Sequence, residues 1–573
     1  MKNIQQEWNK ISKKFHLGEP KNLQIFLNDK VKKLFRERLV SECLVITDTS
    51  HMNYLVSLIE EYKFKICNFQ KENYIEMAYS YQEIVVVLFE GYKNEVISSL
   101  SNKNIIDLYQ EIRFNYNFIF MYPIYKYQKF YDYTYNTLND SYKNYLLNND
   151  AMTLGELIKQ LLYRKDFSSA FLYIDIYIEK KFPNSNYYNL LKNEIQDLLL
   201  EIKKTTSERN QKDIIVFWID QLCYTDLKKC PYLNKIAKNS LFFERAYTIT
   251  PYTEPTIRYI FLNEKTLDRY NKICIQSRFK KCEHSRLHKC LKQNGYTIKF
   301  LVPDEGKYGW KTDSKYYESN YPSSLRLWEM LGELVEYETP VFILIDCLRE
   351  SHEPFWNPFI IKNIGMQLFK TDYEDVAVNK QQDMSLEYID HQIKFYSELL
   401  CGSNMLKVYM SDHGKWNRIT DRRYSDRALH SLLFIIGNNI KNENLKQIFS
   451  LNDFYKLINN LIQGEKVDCL SQEVHVQDTC LFNKDLRKFL SEQNDESVEE
   501  ILAAFSGVIG TNDKYIKLKN GKEYYYILPD EKTNYIQNVN YCKNIQKYRE
   551  MTKNDFKVNM IIKLIKVIQK NIL

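Results

Sequence analysis

None of the 12 cysteines stands in a CxxC pair, and their spacing forms no regular framework. That excludes a disulfide-stapled scaffold and reads as free, mostly buried thiols in a reducing compartment. No window approaches the ~20 consecutive apolar residues of a membrane span. The best fragments are IVVVLF at 84–89 and LLFIIG at 432–437. The opening stretch MKNIQQEWNKISKKFHLGEP lacks the apolar core of about 7–15 residues that a signal peptide needs, so the expected location is cytoplasmic. Charge of one sign is barely in excess, Lys+Arg 80 against Asp+Glu 73 or +7 overall. So mild a surplus, spread along the chain, does not require an anionic partner, and no nucleic acid is expected. Glycine is scarce, at 15, while tyrosine reaches 46; both reflect genome composition as much as function.

What is present describes an ordinary globular protein: 44% hydrophobic and 27% charged residues over 573 positions. At ~150 residues per domain the length suggests three or four domains. The run ECLVIT at 42–47, the turn Asp48-Thr49-Ser50 and an amphipathic stretch carrying Met52, Leu55, Leu58 and Ile59 spell strand, turn and capped helix. FKICNF at 64–69 and EIVVVLFE at 83–90 add buried strands, so residues 1–125 are expected to form a small Rossmann-like α/β accessory module. Its first turn, TDTSHMNYL, lacks the glycines that let a backbone approach a pyrophosphate, which favours a structural or sugar-recognising role over dinucleotide binding.

From 126 to 208 helical periodicity dominates, and the segment is expected to be a helical connector resembling one tetratricopeptide-like hairpin. KKTTSERNQKD at 203–213 is the clearest linker. Residues 440–505 are expected to be largely helical, and 546–573 to end in a basic amphipathic helix that docks on its own protein, on a second copy or on a membrane surface. Cys282, His284, His288 and Cys290 sit close enough in CEHSRLHKC to suggest zinc, but the symmetric spacing is unfamiliar, and a solvated basic helix is the favoured reading.

The chemistry concentrates after the linker. IIVFWIDQL is a buried strand delivering Asp220 at its carboxyl end, where open α/β sheets place ligands. A helix, a strand and the turn PYTEPT follow, presenting the hydroxyl of Thr253 beside a helix expected to start at Thr256, where unsatisfied N–H groups suit an anionic ester. Much later LKVYMSDHG ends another strand on Asp412 and His413, a carboxylate and an imidazole suited to Zn2+ or Mn2+. Two strand-end carboxylates, one histidine and one hydroxyl make a single metal site with a built-in nucleophile.

In this order of motifs the sequence resembles the alkaline phosphatase superfamily, in its sulfatase-like and phosphoethanolamine or phosphoglycerol transferase branch. The resemblance runs over about 212–540, through the Asp220 strand, PYLNKIAKNSLFFERAYT, YTEPT, SHEPF at 351–355, SLEYIDHQI at 385–393, SDHG at 411–414 and the closing DKYIKLKNGKEYYYILPDEKTN. It implies a catalytic domain over 209–545, an alkaline-phosphatase-like central mixed sheet flanked by helices. It also implies one divalent metal, Zn2+ or Mn2+, held by Asp220, Asp412, His413 and Thr253, with Thr253 attacking phosphorus. His352 is implied near the leaving group, and Arg349, Lys415 and His430 are candidates for the substrate phosphate. Asp346 is a further group able to order His352. Two-metal members need another carboxylate beside the first, but here Gln221 follows Asp220, so one metal is expected.

Sulfatases oxidise a Cys or Ser at the nucleophile position to formylglycine. Threonine carries a methyl where that oxidation needs a hydrogen, so phosphorus chemistry through a phosphothreonine is the better reading. The expected substrate is a small-molecule or glycan phosphoester, such as a nucleotide- or polysaccharide-linked precursor. A catalytically silent binding or scaffold protein and a sulfatase using unmodified threonine are the alternatives, and homo-oligomerisation is left open.

Overall fold

The computed structural model describes residues 3–17, 43–47, 64–68, 73–81, 83–87, 99–100, 104–107, 141–257 with short gaps, 260, 285–302, 314–316, 323–345, 375–415, 422–478 except 469, and 503–555 except 554. His352, Arg349, Asp346, Cys282, His284 and the basic segment after 555 lie outside them. Among the described residues no helix is long and apolar enough to cross a membrane.

Four short apolar runs near the N-terminus, β1 (Cys43–Thr47), β2 (Phe64–Asn68), β3 (Glu83–Val87) and β4 (Asn104–Asp107), pair in the order β2-β1-β3-β4, all parallel. Helices Ala151–Tyr163, Phe167–Glu179 and Ser185–Ser207 follow. The first two begin on aspartates, Asp150 and Asp166, whose side chains accept from the N–H of Thr153 and Ser169, satisfying donors that a helix start leaves open.

Among the described residues the central sheet has nine strands: β5 (Ile214–Trp218), β6 (Leu241–Tyr247), β7 (Thr297–Val302), β8 (Ser314–Tyr316), β9 (Val341–Ile345), β10 (Leu406–Met410), β11 (His430–Ser431), β12 (Leu433–Ile436) and β13 (Glu443–Ser450). Their order is β11-β6-β12-β10-β5-β9-β7-β8, with β13 also on β6. β10, β5, β9, β7 and β8 run parallel, and β12 is antiparallel to both β10 and β6. This is a mixed α/β sheet flanked by helices.

Both faces are buried, which is why β5 is an unbroken apolar run rather than an alternating one. Ile215 and Phe217 face a core shared with the helix Ile4–Lys14, the helices of 151–207, Ser323–Glu336 and Asp375–Ser397. Ile214, Val216 and Trp218 face the opposite core, closed by helices Arg286–Gln293 and Phe454–Gln463. The helices of 151–207 are therefore packed onto the sheet's own core.

The segment expected to be helical at 440–505 carries two strands. ENLKQIFS forms β13, parallel to β6, and EVHVQD forms β14 (Glu473–Asp478). The signal in EVHVQD is strict alternation, with Val474, Val476 and Asp478 turned inward. Between them the helical expectation holds over Phe454–Gln463, a helix closed by Gly464 at φ +71°. β14 pairs antiparallel with β15 (Phe505–Gly510), which continues into β16 (Asp513–Leu518) and β17 (Glu523–Ile527). The last hairpin turns at Asn520-Gly521, where φ of +94° requires glycine. One face of this second sheet packs on Tyr247, Tyr424, Leu429 and Ile448 of the central body.

Candidate metal centre and nucleophile

Register brings the carboxylates together. β5 and β10 are neighbouring parallel strands with Trp218 opposite Met410, and the Ile219 N–H donates to the Met410 carbonyl at 2.8 Å. Two residues beyond the paired ends stand Asp220 and Asp412, both buried, at the carboxyl edge of the sheet. β6 reaches the same edge, because β12 is antiparallel to both it and β10. Thr253 follows β6 by six residues and is the first residue of the short helix Thr253–Ile257, three residues earlier than the sequence suggested.

Asp220, Asp412 and His413 each offer one ligand atom, and these atoms lie within 4.8 Å of one another. The Thr253 hydroxyl donates to Asp220 Oδ1 at 3.3 Å and lies 3.4 Å from His413 Nε2. His413 Nε2 is 3.4 Å from Asp412 Oδ2. His413 Nδ1 faces the Gly414 carbonyl at 2.7 Å; since a carbonyl only accepts, Nδ1 carries the hydrogen and Nε2 presents its lone pair to the cluster.

The donor set fits a divalent cation. Asp412 Oδ2 is buried without a hydrogen-bond partner, a costly arrangement for a carboxylate oxygen. Oδ1 accepts from the Gln221 N–H at 3.0 Å. To aim that N–H, Gln221 adopts a left-handed φ of +57°, strain of the kind that collects at functional sites. Burial and the neighbouring Asp220 charge push the Asp412 carboxyl well above its ordinary range. Burial pulls the His413 imidazole down, favouring its neutral form. Two crowded carboxylates and a neutral imidazole are what a cation relieves.

The sequence after the cluster is held by close approach. A Cβ on Gly414 would fall 2.0 Å from the Arg427 carbonyl oxygen, so only glycine lets the chain pass, and its N–H donates to the Ala428 carbonyl at 3.0 Å. The turn before Thr253 is tied by buried threonines: Thr248 Oγ1 lies 3.0 Å from Thr256 Oγ1 and donates to the Thr250 carbonyl at 3.0 Å.

Of the remaining candidates, Lys415 is buried directly after Gly414. His430 starts β11, stacked between Tyr224 and Tyr247 at 4.8 Å from each ring. Its Nε2 lies 2.8 Å from the Glu244 carbonyl and its Nδ1 3.3 Å from Asp426 Oδ2, so both ring nitrogens have protein partners. Of the cysteine–histidine cluster, His288 is buried on the helix Arg286–Gln293, and the Cys290 thiol donates to Asn459 Oδ1 at 3.1 Å. Sequence reasoning missed Arg423 and Tyr252, which meet at 2.8 Å one residue before Thr253. An arginine pair in a loop and a lone tyrosine carry no spacing signal that would have revealed the contact.

A mixed sheet with its candidate metal centre at the carboxyl edge is the class of protein this fold defines. No family model and no curated protein matches the sequence. Among solved structures the chain is similar to the phosphonate monoester hydrolase of Agrobacterium radiobacter, at 12% identity and a TM-score of 0.44, covering 59% of this chain and 94% of that one. It is also similar to a Bacteroides thetaiotaomicron protein described as a sulfatase, at 13% identity and a TM-score of 0.45, covering 61% and 92%. A third similar chain is a protein of the alkaline phosphatase superfamily from Vibrio parahaemolyticus, at 13% identity and a TM-score of 0.41, covering 57% and 86%.

Proposed function

We propose that the protein is a metal-dependent phosphotransferase or phosphodiesterase with Thr253 as nucleophile, acting on a small-molecule or glycan phosphoester. The observation that carries this reading is the contact of the Thr253 hydroxyl with both Asp220 and His413. Asp220, Asp412 and His413 Nε2 would hold one divalent cation, Zn2+ or Mn2+, with Thr253 beside them. When bound, that cation supplies Lewis acidity toward the hydroxyl and the phosphoryl oxygens.

The protein's own groups account for the rest. Gln221 fixes the Asp412 carboxylate through its N–H. Gly414 fixes the His413 tautomer through its carbonyl. The threonine knot at 248–256 holds the nucleophile's turn. Thr253 Oγ1 gives its proton toward Asp220, forms the Oγ–P bond, and the leaving alcohol departs with the P–O bond electrons and takes up a proton. Water or an acceptor alcohol then attacks the phosphothreonine, releasing the group and restoring the hydroxyl. Phosphorus is favoured over sulfur because the threonine methyl blocks formylglycine formation.

The test is a Thr253→Ala variant assayed with aryl phosphate, phosphodiester and sulfate esters, together with mass spectrometry of wild-type protein trapped with the same donors. Expected are lost turnover in a folded variant and a phosphoryl mass on Thr253 of the wild type. Retained turnover would move the nucleophile elsewhere, and hydrolysis of the sulfate ester alone would overturn the choice of phosphorus.

A further inference from the structure

We infer that Arg423 is a positioning residue that holds the nucleophile's turn to the C-terminal sheet through the Tyr252 hydroxyl; this rests on Thr253 being the nucleophile. Arg423 is a buried cation, only 3% exposed. One nitrogen of its guanidinium, Nη1, donates to the Tyr252 hydroxyl at 2.8 Å. The same end pairs with the buried carboxylate of Asp478, the last residue of β14. The other, Nη2, donates to the Ala503 carbonyl at 2.8 Å, just before β15 begins. A planar fork that meets three partners in fixed directions is a task for arginine and not for lysine.

Each partner belongs to a different part of the chain. Tyr252 immediately precedes Thr253, while Asp478 ends β14 and Ala503 leads into β15 of the second sheet, where Asp478 pairs in register with Phe505. A second strut runs alongside, since the Gln477 N–H donates to the Ile249 carbonyl at 2.7 Å. The short helix that starts at Thr253 holds its own far end through the threonine knot at 248, 250 and 256. The near end, at Tyr252, is where Arg423 contributes.

The metal ligands are positioned independently, by β5 and β10. Alignment of the hydroxyl with the ligands thus depends on β6, which carries the turn out of the central sheet, and on the C-terminal sheet, which braces that turn through Arg423 and Gln477. Misplacement of a reacting group by about 1 Å costs on the order of 100-fold in rate, so a small release at Tyr252 is felt at Thr253.

Arg423→Ala would strand the Asp478 carboxylate in the interior, so gentler variants carry the test. Tyr252→Phe deletes only the hydroxyl, and Arg423→Lys keeps a counter-charge for Asp478. Each is compared with wild type and Thr253→Ala for kcat and KM on an aryl phosphodiester, for Zn2+ stoichiometry, and for amide hydrogen exchange over 249–256 and 406–412. Expected is a roughly 10- to 100-fold fall in kcat with KM and bound zinc near wild type. Exchange should become faster over 249–256 and stay unchanged over 406–412.

Wild-type kcat together with unchanged exchange over 249–256 in Tyr252→Phe would overturn the positioning role while leaving the nucleophile assignment intact. Turnover retained in Thr253→Ala would overturn both. Zinc lost in Tyr252→Phe would show that the arm supports the ligands instead, and so would also overturn the inference.

Discussion

The strand β5 carries a buried aspartate beyond each end, and the two are treated oppositely. Asp213, at the amino end, is fully satisfied: Arg209 grips both its oxygens at 2.8 Å, and the Val341 N–H donates to Oδ1 at 2.9 Å. Asp220, at the carboxyl end, faces a second carboxylate, and in that partner, Asp412, one oxygen has no hydrogen bond. Both aspartates are buried, so burial alone does not distinguish structure from function. What differs is compensation: the amino edge neutralises its charge within the chain, while the carboxyl edge leaves a negative, half-satisfied cluster that only a ligand from outside can complete.

Breaking the uncompensated end has the largest expected effect on activity. Asp412→Ala removes a ligand of the cluster, and bound zinc or manganese should fall from about one per chain toward zero. Losing several kcal/mol of charge stabilisation corresponds to on the order of 1,000-fold in kcat/KM. Metal analysis with steady-state kinetics checks this, and a variant that keeps its metal and its rate would remove Asp412 from the centre.

The compensated end should fail as structure instead. Asp213→Ala leaves the Arg209 guanidinium, whose side chain is 9% exposed, without its counter-charge. Breaking a buried pair in this way costs about 3–5 kcal/mol, to be read as a lower urea midpoint, with metal stoichiometry per folded chain unchanged.

Neutralising Asp412 without removing its shape sharpens the contrast. In the metal-free protein Asp412→Asn should be more stable than wild type near neutral pH, by roughly 1–3 kcal/mol, the penalty of an unsatisfied buried polar group. Because the folded carboxyl is raised, the native state binds more protons than the unfolded one above about pH 4. Wild-type stability should therefore fall as pH rises from there, and the asparagine variant should flatten the profile. An identical slope in both proteins would refute the assignment.

The smallest effect belongs to a third buried charge, Lys165, whose ammonium lies 4.1 Å above the Trp8 ring of the N-terminal helix. Burial lowers its pKa to about 7, far below that of an unfolded lysine. Between these values the unfolded chain binds the extra proton, so stability rises with pH. A gain of up to about 1 kcal/mol is expected from pH 7 to 8, absent in Lys165→Met and measurable as a shift in urea midpoint.

Much of the fold was legible because burial on both faces writes itself into composition. IIVFWI and the runs at 43–47, 64–68 and 83–87 are strands where the sequence placed them. Asp220, Thr253, Asp412 and His413 were legible because each closes a strand or enters a turn, the positions where an α/β sheet exposes chemistry. β13 was not: ENLKQIFS is polar at Glu443, Asn444, Lys446 and Gln447, and only its pairing with β6 makes it a strand. His430, a candidate for the substrate phosphate by resemblance alone, has its ring stacked between two tyrosines contributed by other segments, a packing that no local window reveals.

By itself the sequence determined the buried strands of the central sheet and which side chains arrive at their ends, because local periodicity and solvation decide those. Tertiary structure alone decided that the ends of β5, β10 and β6 share one edge in matching register. It also decided that Gln221 twists to serve Asp412, and that Arg423 reaches from one sheet to the turn of the other. Gln221 and Asp412 stand 191 positions apart and Arg423 and Tyr252 171 apart, so these partners meet only after the sheet is assembled, and no short window of sequence contains both halves of either pair.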